Sequence, residues 1–223
     1  MQIMKRTAIL IILVFSIGFG IKAQRIEYEK VKNAEQHVVY HQKGRFAGWP
    51  ANNGAWIFDN DEILVGFTEA PYKVKEGHNL SHPYASWLAR STDGGETWEA
   101  WNPENYVGDF GNQPELKEVD KPINFQHKKF AMRLVGTAYH GANDPRGHFF
   151  YSYDGGSNWN GPFTFGNLRD HPQLTKYWDE LEITSRTDYI VTGKHEALLF
   201  MSARPKGEFG TDRLFCMKTS DGG

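Results

Sequence analysis

The side chains best suited to chemistry in this chain are cations and one histidine. Arg45, Arg133, Arg186 and Lys194 stand in or beside segments that read as β-strands. Brought together, they would make a basic pocket suited to an acidic sugar, because each guanidinium offers a planar fork of donors that stays charged. Left apart, they are ordinary strand-edge charges. Asp188 stands two residues from Arg186, and alternation along an extended strand puts both on one side, as an ion pair facing either a ligand or solvent. His78 lies in the loop from Pro71 to Tyr84 and is of the residue type that exchanges protons near neutral pH; its other reading is a solvated loop imidazole. The nine histidines fall into no HExxH spacing and there is no CxxC, so neither a metal nor a cofactor is expected. The sequence also has no Gly-rich phosphate loop and no GxSxG elbow.

The elements that must position these groups are set by a repeat. Ser91, Asp93, Gly95 and Trp98 recur with the same spacing as Ser152, Asp154, Gly156 and Trp159, and the pattern starts again at Thr219-Ser220-Asp221-Gly222-Gly223. Glycine supplies the positive φ of a hairpin turn, while the Asp carboxylate and the Ser hydroxyl accept bonds from turn amides. The Trp that follows opens the next strand and packs between sheets. Near-equal spacing of the three turns, with short strands on both sides, points to a solenoid, propeller or array. Around the first turn, strands are expected at Ala55–Phe58, Glu62–Thr68, Ala85–Arg90 and Thr97–Trp101. Around the second they are expected at Ile123–Phe125, Phe130–Tyr139, His148–Tyr153 and Trp159–Phe165. Before the third they are expected at Leu181–Thr187, Tyr189–Val191, Ala197–Ala203 and Leu214–Thr219. Val38–Tyr40 reads as an early additional strand, and helix signals are almost missing.

The Ser/Thr-x-Asp-x-Gly-x-x-Trp pattern resembles the Asp box, or bacterial neuraminidase repeat, of the sialidase superfamily. The resemblance is best from Glu62 to Ala70 and from Leu88 to Trp98, and the Gly48–Gly54 and Arg186–Tyr189 runs look like those of uncharacterised bacterial sialidase-like proteins. It implies an all-β fold, a partial six-bladed β-propeller with about three four-stranded blades present. Residues 24–223 would be the N-terminal part of that propeller, stopping inside the third box. The boxes, Asp93, Asp154 and Asp221 included, would be structural. The template's site lies on the propeller axis, with three arginines for the substrate carboxylate, a Tyr–Glu nucleophile pair and an Asp acid/base; Tyr nucleophiles are characteristic of sialidases. Carried over, Arg45, Arg133 and Arg186 would bind an acid group, with Asp188 and Lys194 beside them. Arg45 lies five residues before Pro50, where the template's arginine lies two before its proline, and the Pro71–Tyr84 loop has no Asp, which leaves His78 as the local proton donor. The implied function is an exo-acting glycoside hydrolase on an anionic sugar such as sialic acid. The other outcomes are a non-catalytic glycan-binding module or a protein scaffold.

Composition agrees with a folded β protein: aromatics make up 14%, glycines number 23 and charged residues are 23%. A net charge of −2 gives no electrostatic reason to expect nucleic acid. Lys5 and Arg6 precede an apolar run from Ala8 to Ile21, and Ala23 precedes a plausible cleavage point, the layout of a secretory signal peptide over residues 1–23. The mature chain is therefore expected to be secreted or periplasmic, bacterial, and without a membrane span. The single Cys216 rules out an intrachain disulfide, and its apolar neighbours suggest a core position.

Overall fold

A computed structural model describes residues 32–58, 61–104, 106, 115–136, 147–166, 168, 181–205, 208 and 210–223. The signal segment and much of the long connectors after Asn102 and Gly166 lie outside the described residues. The chain divides into Met1–Glu35 and Gln36–Gly223, and every strand among the described residues belongs to the second.

The strands form three antiparallel sheets in chain order. Sheet 1 holds β1 (Arg45–Gly48), β2 (Ala55–Ile57), β3 (Ile63–Pro71), β4 (Ala85–Ser91) and β5 (Glu99–Trp101). Sheet 2 holds β6 (Ala131–Val135), β7 (His148–Ser152) and β8 (Asn160–Phe163). Sheet 3 holds β9 (Leu181–Ile183), β10 (Tyr189–Gly193), β11 (Glu196–Pro205) and β12 (Arg213–Thr219). No helix of the described residues is long and apolar enough to cross a membrane.

Sheets 1 and 3 share a device that sequence periodicity does not reveal. One edge of the long strand β3 is covered by two short strands end to end: β1 pairs with Thr68–Pro71 and β2 with Ile63–Val65. The long strand β11 is covered in the same way, by β9 at Ala203–Pro205 and β10 at Ala197–Leu199. Between the halves the chain leaves the sheet. In sheet 1 it makes the short helical turn α1 (Pro50–Asn53), where Pro stands in the first turn and its missing N–H is harmless. In sheet 3 it makes a bend at residues 184–188. The strand expected to run through Thr187 therefore stops at Ile183, and strand alternation does not set where Arg186 and Asp188 point.

Sheet 2 departs from the expectation differently. Ile123–Phe125 is no strand; its amides are satisfied by turns of sheet 3, Ile123 N–H donating to the Gly222 carbonyl and Phe125 N–H to the Lys194 carbonyl, both at 2.8 Å. The edge of β6 is capped by side chains instead. Met132 N–H donates to the Tyr189 hydroxyl at 3.2 Å and Leu134 N–H to Thr187 Oγ1 at 3.3 Å. The bend before β10 packs so close here that a Cβ on Gly136 would lie 2.6 Å from the Ser185 amide nitrogen.

Two cores glue the sheets. Between sheets 1 and 2, Leu64 and Leu88 meet Trp56, Tyr106, Phe150 and Trp159. Between sheets 2 and 3, Met132, Leu134 and Phe149 meet Ala197, Leu199 and Met201. Each large apolar side chain buried here contributes about 1.5–3 kcal/mol. Two further expectations are corrected. Val38–Tyr40 is not a strand; Val38 is exposed, and the Tyr40 ring instead lies over Phe67 and Trp87, centroids 5.1 and 5.6 Å away. Cys216 is exposed rather than core, because β12 turns Phe215 and Met217 toward sheet 2 and Leu214 and Cys216 away from it.

Candidate functional site

The first two of the repeated turns are built bond for bond. In the first, Ser91 Oγ donates to the Asp93 carboxylate at 2.7 Å and accepts from Gly95 N–H at 2.8 Å. Asp93 accepts from the Thr97 amide and hydroxyl, and Trp98 Nε1 donates to the Gly95 carbonyl at 2.8 Å. The second repeats every step with Ser152, Asp154, Gly156, Asn158 and Trp159. The third has Thr219 in place of Ser, with Thr219 Oγ1 donating to Asp221 at 3.1 Å and accepting from Gly222 N–H. Bonds from Thr97, with those from Ser91, hold the Asp93 carboxyl well below the usual carboxylate range. At Asp154 burial pushes upward, but bonds from Asn158 and Ser152 win and the carboxyl again sits low. These aspartates are spent on their turns and are not free to handle protons.

The predicted cations are not brought into one pocket. Arg45 sits on β1 and grips Glu69 of β3 with two parallel bonds, Nε to one carboxylate oxygen and Nη2 to the other at 2.6 Å. Glu69 is only 2% exposed. That bidentate grip pushes the Arg45 guanidinium upward from its ordinary range. Arg133 lies on the opposite side of sheet 1, buried in the seam with sheet 2, its guanidinium carbon 4.6 Å from the Tyr106 ring centroid. Arg186 is half-buried in the bend of sheet 3 and donates to the Thr184 carbonyl at 2.9 Å. Lys194 and Asp188 are exposed, Lys194 in the turn between β10 and β11.

Arg45 and His78 both belong to the β1 end of sheet 1, but alternation along β1 puts Arg45 on one face and Phe46, which leads through Trp49 to His78, on the other. Trp49 follows β1 with φ 60 and ψ 49, a left-handed conformation that costs a bulky residue about 1–3 kcal/mol and accumulates at functional sites. Its ring lies 5.1 Å from Phe46 and meets His78 edge-on at 4.8 Å. Where β1, β3 and the 72–84 loop converge, one face of β1 thus carries the Arg45–Glu69 pair and the other the Phe46 ring, with Trp49 and the exposed His78 imidazole packed beyond it. The first face can hold an anion on the guanidinium, and the second can lay a sugar ring against an aromatic group.

At the other end of β3 an open groove of about 410 Å³ lies between β2 and β10. Ile57 and Val191 are on its sides, and His127, Lys128, Asp188 and Tyr189 supply its polar groups.

Neither a family model nor a curated protein matches the chain. A solved structure does. A protein of unknown function from Dyadobacter fermentans DSM 18053 is similar with a TM-score of 0.52 and 18% identity, over 84% of this chain and 55% of that one. The chain thus spans about half the length of that protein, and at this identity the likeness speaks to the fold alone.

Sequence reasoning missed Glu69 and Trp49 as site residues. A signal for Glu69 was present, since it is an acidic side chain continuing an otherwise apolar strand. Trp49 had only the Gly before it and the Pro after it, which mark a break in the strand but not the left-handed turn.

Proposed function

We propose that this chain is part of an exported, sialidase-like β-propeller that recognises glycans carrying an acidic sugar at the β1 end of sheet 1. The observation that carries the reading is that two turns, ending corresponding strands of successive sheets, share one side-chain bond network, and that the turn ending β12 opens with the same hydroxyl-to-aspartate bond. That network suits the Asp box, whose resemblance implies both the propeller and the substrate class. At the site, Glu69 uses two of the five guanidinium N–H donors of Arg45 and fixes their plane; the others remain to meet a carboxylate. On the other face of β1, Trp49 and Phe46 give a sugar ring an apolar wall.

Exo-acting hydrolysis of a sialic-acid-like residue is the enzymatic form of the reading, with His78 as the proton donor against Trp49. The non-catalytic form is favoured by the burial of Arg133, which takes one guanidinium out of reach of a substrate, and by the lack of an Asp in the 71–84 loop. The test is retention of the protein on immobilised sialylated and uronylated glycans, alongside release of a fluorophore from sialosides. Retention that falls about tenfold in Trp49→Ala is expected, from the loss of one stacking contact. Turnover that disappears in His78→Ala would choose the enzymatic form. A protein that neither retains nor cleaves any of these glycans overturns the reading.

A further inference from the structure

We infer that the groove between β2 and β10 is a second ligand site, and that it takes a small hydroxylated carboxylate of the uronic-acid type. It does not rest on the function proposed above. The two places lie at opposite ends of β3, which at about 3.3 Å per residue separates Leu64 from Ala70 by roughly 20 Å.

The groove's volume, about 410 Å³, is in the range of small-molecule sites. Its polar groups have defined roles. The Tyr189 hydroxyl accepts from Trp56 Nε1 at 2.9 Å and from Met132 N–H at 3.2 Å. Those two bonds occupy both lone pairs of the oxygen, so its own hydrogen is left to donate. Burial pushes the phenol up to about 12, so that hydrogen stays in place through the neutral range. His127 accepts from Lys129 N–H on Nδ1 at 3.3 Å, which puts the proton of the neutral ring on Nε2 and makes that nitrogen a donor. The exposed Lys128 adds an ammonium and the exposed Asp188 a carboxylate.

Three donors, one of them charged, with a single charged acceptor match a ligand that has one carboxylate and several hydroxyl groups. A carboxylate oxygen meets the Lys128 ammonium and the Tyr189 or His127 hydrogen, and Asp188 accepts from a pair of hydroxyl groups. A purely apolar ligand would leave these groups unmatched, and a cation would face Lys128.

The test is titration of the whole chain by calorimetry with glucuronate, with glucose as the hydroxyl-only probe and succinate as the carboxylate-only probe. Glucuronate is expected to bind with saturation, and glucose and succinate at least tenfold more weakly. Lys128→Gln should weaken glucuronate about tenfold and leave glucose unchanged, while Asp188→Asn should weaken both sugars about tenfold, each loss being that of one charge-assisted bond. Both positions are exposed, so the variants should keep the wild-type melting temperature. Trp49→Ala should leave intact the glucuronate binding that depends on Lys128 and Asp188. No binding of glucuronate, or binding that survives both Lys128→Gln and Asp188→Asn, overturns the inference. Binding lost in Trp49→Ala but kept in Lys128→Gln also overturns it, by assigning the ligand to the β1 end. Failure of glycan retention at the β1 end, in contrast, leaves the groove result standing.

Discussion

The first and second boxes have the same internal bonds but very different surroundings. In the second, Trp159 is 7% exposed and packs with Trp56, Tyr106, Leu64 and Leu88 in the seam with sheet 1. A Cβ on Gly156 would lie 2.5 Å from Leu64 Cδ2. Arg90 of sheet 1 reaches across to donate to the Gly155 carbonyl at 2.7 Å and to Ser157 Oγ at 3.0 Å. Glu62 of sheet 1 pairs with Lys129, whose carbonyl accepts from Gly155 N–H. In the first box, Trp98 is half-buried, and a Cβ on Gly95 would have only ordinary contacts, 3.7 Å from Ile63 and from Trp98 itself. One local motif thus serves as a self-contained turn in one place and as a bolt between two sheets in the other. The bond network makes the turn, and the neighbouring sheet decides what the turn is worth.

The largest expected effect tests that contrast directly. Trp159→Ala should destabilise the fold by about 3–5 kcal/mol, the range for emptying a buried aromatic position, and Trp98→Ala by about 1–2 kcal/mol because part of that ring is already in water. Urea unfolding followed by fluorescence measures both, and equal losses would break the comparison. Next comes Arg90→Met, which strips two bonds from the second box and leaves the Gly155 carbonyl unmatched. About 1–3 kcal/mol should be lost, with no matching response in the first box. The smallest effect is one the boxes should share. Both Asp93 and Asp154 have depressed folded-state values, so their contribution is present above the unfolded carboxylate value near pH 4 and is lost as pH falls through the lower folded one. Replacing either with Asn should flatten the acid side of the stability–pH curve, as measured by thermal melts from pH 2 to 7. An unchanged curve would mean that the carboxylates do not hold the turns.

The turns were legible in the sequence because their chemistry is local: Ser, Asp, two glycines and Trp act on one another within eight positions. Most strands were legible for the same reason, as runs of alternating apolar residues. What could not be read depends on partners far along the chain. The splitting of the edge strands depends on how the Gly48–Gly54 segment and the 184–188 bend meet the same end of β6, as in the Thr187 Oγ1 bonds to Leu134 and to the Asn52 carbonyl. Cys216 sits in an apolar run whose two faces look alike in sequence, and only the position of sheet 2 makes one of them interior. Of the site, Arg45 and His78 were readable as residue types. The grip of Glu69 was not, because strand pairing supplies it from a position 24 residues away.

The hydroxyl caps on β6 have a consequence for solubility. An uncovered strand margin offers its amides to any passing chain and so invites sheet extension between molecules. Here Tyr189 and Thr187 occupy the amides of Met132 and Leu134 with groups that cannot propagate a ladder. A Tyr189→Phe protein would keep the ring over that edge and leave the buried Met132 amide without its acceptor.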